Sequence, residues 1–116
     1  MRAAVVTRYG GPEVIEVMEV DDPAPGPDEI LVDVAHSACN RADVLQRMGA
    51  YPDPIRREVE ILGLEYAGTV AAVGERVRSW KVGDRVMGIE AGACNASRVV
   101  THARQAMPIP AGVDLA

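Results

Sequence analysis

Apolar positions in this chain fall in short runs, separated by glycines and prolines too frequent for long helices. The stretch AAVVTR, Ala3 to Arg8, is a β-branched run that stops at YGGPE. VIEVMEV, Val14 to Val20, sets Val14, Glu16, Met18 and Val20 against Ile15, Val17 and Glu19, a strand pattern with mixed faces. A proline-rich turn, DDPAPGPDE, follows, where no strand or helix interior would be tolerated. ILVDVAHSA, Ile30 to Ala38, predicts the clearest strand: Val32, Val34, His36 and Ala38 share one face, and Leu31, Asp33, Ala35 and Ser37 the other.

YAGTVAAVG, Tyr66 to Gly74, predicts a buried strand whose glycines mark a bulge or a close backbone approach. In KVGDRVMGI a Gly83-Asp84 turn precedes another apolar run, and SRVVTHA and AMPIP supply two last short strands. One helix is expected, in NRADVLQRMG: Asn40 suits the N-cap, Asp43 completes a capping box, and Gly49 suits the stop. Many short strands with a single short helix predict a mostly β fold, a small barrel.

Composition narrows the function classes. The 116 residues suffice for one domain with a real core. With no Phe, one Trp and three Tyr, that core must come from aliphatic side chains. The net charge of -5 and the lack of any basic block argue against nucleic acid as a partner. No apolar run approaches the roughly 20 residues of a membrane span, and the first residues show no secretory signal. Two distant cysteines, Cys39 and Cys94, suit reduced thiols in the cytoplasm. His36, Cys39, Cys94 and His102 lack the paired spacing of a structural zinc site and are expected to be buried strand residues, so no metal site is assigned.

Taken in order, GPDEILVDVAHSACNRADVLQRMGAYP, ILGLEYAGTVAAVGERV, WKVGDRVMG and MPIPAGV cover most of the chain. They resemble the N-terminal, GroES-like domain of the medium-chain dehydrogenase/reductase superfamily. Within it, NRADVLQRMGAYP is similar to the zinc-independent quinone oxidoreductases, the p53-inducible type in particular. The resemblance implies a GroES-like, partly open β-barrel with one short helix, spanning residues 1–116 as the substrate-side domain. It also implies NADPH, bound mainly by a Rossmann domain. The glycine fingerprint of such a domain does not occur in these residues. The expected partner is a small quinone or enone, and the full-length protein is expected to be a homodimer.

The same resemblance bears on the site residue by residue. Zinc-dependent members carry a cysteine ligand where this chain has Asn40, and a Gly-His-Glu motif where it has Gly63, Leu64 and Glu65. A carboxamide is a poor zinc ligand and leucine none at all, so reduction without zinc is expected. Asn40 is then either a hydrogen-bond donor to nicotinamide or substrate, or a plain N-cap. Asp43 is either a pocket carboxylate or cap chemistry. Tyr51 is the first choice for a donor to the acceptor oxygen, against an exposed loop tyrosine. Arg41 either approaches the cofactor phosphates or is simply solvated, and Glu65 is expected in a structural salt bridge. Two other readings stay open: an enoyl reductase of the same superfamily, and a non-catalytic GroES-like binding or assembly module.

Overall fold

In a computed structural model, residues 1–55 and 57–116 are described and form seven strands, one α-helix and a 3-10 turn. The strands are β1 (Arg2–Val6), β2 (Ile15–Glu19), β3 (Glu29–Ser37), β4 (Glu65–Val73), β5 (Arg85–Ile89), β6 (Arg98–His102) and β7 (Met107–Pro108). The helix α1 (Arg41–Arg47) lies between β3 and β4. The mostly β architecture with one short helix is as expected.

β3 and β4 are the center of a five-stranded antiparallel sheet ordered β6-β3-β4-β5-β7. On β3, Ile30 and Val32 are fully buried and Val34 packs beside them; on β4, Tyr66 and Val70 face the same core. Val86 and Val99 complete it from β5 and β6. Each aliphatic side chain of this kind stabilises the fold by about 1.5–3 kcal/mol. β1 and β2 form a separate hairpin, tied to the rest through bridges at Ala3–Ala96 and Val5–Ile61.

The glycines of β4 have a physical reason. Gly68 pairs with Val34 beside an irregularity in the β3 register, and a Cβ on Gly68 would collide with the Asp33 carbonyl oxygen. Close backbone approach and bulge thus coincide at this position.

Three expectations change. The run Val14 to Val20 is not one strand: Pro12–Val14 is a 3-10 turn that buries Val14, and β2 begins only at Ile15. Proline at the first helical position presets the turn. β2 pairs with β1, which carries the buried residues of the hairpin, and only Ile15 of β2 packs beside a core cluster, so Val17 is 73% exposed. Among the proposed buried strand residues, His36, Cys39 and His102 are exposed, and Cys94 is buried in a loop before β6 rather than in a strand. The end of β3 outruns the core that covers its middle, which leaves His36 to solvent.

Candidate functional site

The helix is set by local chemistry. Asn40 is the N-cap in extended conformation and forms a capping box with Asp43, whose Oδ2 accepts the Asn40 backbone N–H at 2.7 Å. At the other end Gly49 turns at φ +78°, with its N–H donating to the Gln46 carbonyl at 2.9 Å.

The buried face of this helix is polar. Asp43 is 7% exposed, and its second oxygen accepts the Gly63 N–H at 3.1 Å. Gln46, 1% exposed, donates from Nε2 to the Ile61 carbonyl at 3.4 Å and to Glu60 Oε1 at 3.3 Å. The helix is therefore pinned to the segment 60–63 by side chains three residues apart. Each Asp43 oxygen accepts one backbone N–H, so the carboxylate ties the N-cap of α1 to the Gly63 turn.

Gly63 opens the motif Gly63-Leu64-Glu65 at φ +102°, a region that side chains avoid. A Cβ there would collide with the Asn95 backbone nitrogen and lie 2.6 Å from Asn95 Oδ1. Asn95 reaches this place because its N–H donates to the Leu62 carbonyl at 2.8 Å, while Cys94 N–H donates to Gly63 at 3.1 Å. Two buried side-chain atoms here lack a hydrogen-bond partner among the described residues: Asn40 Nδ2, a donor, and Asn95 Oδ1, an acceptor. Leaving such an atom unmet costs about 1–3 kcal/mol.

Tyr51 is 41% exposed on the loop after α1. Arg41 is exposed at the first helical position and joins no ion pair among the described residues. Glu65 makes no ion pair among the described residues either, against the expected salt bridge. It borders a cavity of about 540 Å³ with His36, Tyr66, Met87 and Ile89. None of Asn40, Arg41, Asp43 or Tyr51 lines that cavity. No group of three or more His, Cys, Asp or Glu side chains converges among the described residues, and no helix there is long and apolar enough to cross a membrane.

Gln46 and Asn95 were missed from the sequence. A signal for Gln46 was its place three residues after Asp43, on the same helical face. Asn95 had none, since only the fold brings it to Gly63.

Two buried groups behind this site hold their protons. Burial pushes the Cys94 thiol from 9.0 up to about 12, and the Glu90 carboxylate adds to it. Burial likewise pushes Tyr66 from 10.0 up to about 12; its hydroxyl lies near Thr101 without a hydrogen bond of ordinary geometry. The unfolded chain ionises both groups first. Stability from this source is therefore intact below pH 9 and falls as pH rises from 9 toward 12. The expected result is a thermal midpoint that drops across that window; a midpoint unchanged there would contradict the assignment. Exposed Cys39 is expected to react with a thiol reagent in the native chain, and Cys94 only after unfolding. Two fast native thiols would contradict the burial.

The model of the alcohol dehydrogenase GroES-like domain matches residues 26–113. The chain is 41% identical over 104 residues to a mycocerosic acid synthase-like polyketide synthase of Mycobacterium tuberculosis, covering 90% of this chain and 5% of that protein. It is 38% identical over 89 residues to an acryloyl-coenzyme A reductase of Sulfurisphaera tokodaii, covering 77% of this chain and 25% of the reductase. The structure superimposes on the Escherichia coli quinone oxidoreductase complexed with NADPH with a TM-score of 0.91 at 32% identity. That match covers 99% of this chain and 35% of the other. The chain thus spans a small part of each relative's length.

Proposed function

Because the chain belongs to the alcohol dehydrogenase GroES-like domain family, we propose that it is the substrate-side domain of an oxidoreductase that reduces a quinone or enone with NADPH and without zinc. The observation that carries this reading is the unmet Asn40 donor at the start of α1, at the position where the resemblance implies a ligand in zinc-dependent members. NADPH, when bound, supplies the hydride, and a Rossmann domain outside these residues holds most of it. The acceptor takes that hydride together with a proton from solvent, so the reduction balances.

In this reading Asn40 Nδ2 donates to the acceptor oxygen as negative charge develops on it. Tyr51, on the loop after α1, supplies a second donor and an aromatic face. Asp43 holds the Asn40 backbone and Gly63 in register and acts as a positioning residue. Arg41, solvent-facing on the first turn, is free to meet the cofactor phosphates. The full-length protein is read as a cytoplasmic homodimer of the p53-inducible type.

A second reading, reduction of an enoyl thioester, is favoured by the similarity to the polyketide synthase and the acryloyl-coenzyme A reductase. Both readings use the same donor. Oxidation of NADPH by the full-length protein, assayed with benzoquinone and with a crotonyl thioester, separates them. Turnover of either is expected, and turnover of neither removes the reading. Tyr51→Phe is expected to lower kcat/KM for the accepted substrate about tenfold, the value of one hydrogen bond in the transition state. Unchanged kcat and KM would take Tyr51 out of the site.

A further inference from the structure

A second cavity, of about 620 Å³, is lined by neither Asn40 nor Tyr51. Its size falls in the range of about 300–1,000 Å³ typical of ligand pockets. Much of its wall is apolar, from Val20, Val59, Ile61, Ala93 and Val99. Two bonded polar side chains, Glu90 and Thr101, line it as well. The Thr101 hydroxyl, on a residue 2% exposed, donates to Glu90 Oε1. The Glu90 N–H donates to the Leu64 carbonyl at 2.7 Å, so Glu90 is anchored through both its backbone and its side chain.

The charges around this cavity do not balance. Its cations are already paired: Arg57 with Asp53, Arg98 with Asp22 and Asp33, and the N-terminal ammonium with Asp22 and Glu19. Glu90 is half-buried and joins no ion pair among the described residues, and neither do Asp21 and Glu58, exposed at the same cavity. We propose that the cavity binds a primary ammonium ion carried on a short aliphatic arm, with the ammonium on Glu90 and the arm against Val59, Ile61 and Val99. An anion would meet the Glu90 carboxylate with both guanidinium groups taken. A neutral apolar molecule would strip water from that carboxylate and leave the charge unmet. A metal ion would find too few ligands, since no three His, Cys, Asp or Glu side chains converge among the described residues. An alkylammonium ion suits both the charge and the apolar wall. Thr101 holds one Glu90 oxygen, which leaves the other to accept from the ligand N–H groups. The site stands independently of the oxidoreductase reading.

The test is a titration of the full chain, labelled with 15N, with hexylamine, hexanol and sodium hexanoate at neutral pH. The readout is the backbone N–H signals of Ile61, Glu90, Ala93 and Thr101. Hexylamine, protonated at that pH, is expected to shift these signals together. Hexanol is expected to bind about tenfold more weakly, for want of the charge-assisted bond, and hexanoate to leave the signals in place. Glu90→Gln keeps an oxygen for the Thr101 hydroxyl and removes the charge. It is expected to bring hexylamine down to the affinity of hexanol, while unchanged hexanol shifts show that the variant is folded. Glu16→Gln removes the same charge from exposed β2, outside the cavity, and is expected to leave the binding as it is. No shift with hexylamine, or binding of hexanol or hexanoate as tight as that of hexylamine, overturns the inference. So does a Glu90→Gln variant that binds hexylamine as before, or one weakened no more than Glu16→Gln.

Discussion

Gly63→Ala is expected to destabilise the chain by about 3 kcal/mol or more, and to lower its thermal midpoint by about 10 °C or more. Two effects combine. The backbone at 63 sits at φ +102°, where a side chain is strained whatever the space around it. The added Cβ would also run into the Asn95 backbone nitrogen. That nitrogen is fixed by its bond to the Leu62 carbonyl, so it has little room to retreat. Gly83→Ala is the control: it has a similar φ of +94° but nothing within reach of a Cβ, so strain alone is left. A thermal melt that shows the two variants equally destabilised would remove the steric part of the argument.

Asp43→Ala is expected to cost about 2–5 kcal/mol, read from urea midpoints. Its removal leaves the Asn40 and Gly63 N–H groups without an acceptor, in a place that water reaches poorly. Asp43→Asn keeps one oxygen and is expected to lose less. In the full-length protein the same variant is expected to lower turnover as well, because the Asn40 donor loses its anchor. A variant of native stability would show that neither bond contributes.

Much of this was legible in the sequence because it depends on neighbours along the chain. Asn40, Asp43 and Gly49 bound a helix through side-chain and backbone chemistry within a few residues, and the structure has that helix. The alternation of Ile30, Val32 and Val34 marked the face of β3 that meets the core. What escaped depends on distance. β2 carries apolar residues yet lies at the edge of a two-stranded hairpin, a position that alternation cannot reveal. Gln46 is a polar residue with partners at 60 and 61, so its burial follows from the fold alone. The pairing of Asn95 with the Gly63 turn likewise appears only once residues 32 positions apart are brought together. The resemblance supplied Asn40, Arg41, Asp43 and Tyr51 as site positions, and the structure adds how Asp43 joins Asn40 to the Gly63 turn.

We propose hydride transfer without zinc, with Asn40 and Leu64 standing where the resemblance implies two metal ligands in zinc-dependent members. Quinone-dependent or enone-dependent NADPH oxidation by the full-length protein, measured before and after exhaustive chelation, tests it most directly. The expected result is a rate that survives chelation and does not respond to added zinc. A rate lost to the chelator and restored by zinc would contradict the claim, because a metal would then be supplying the polarisation assigned to Asn40.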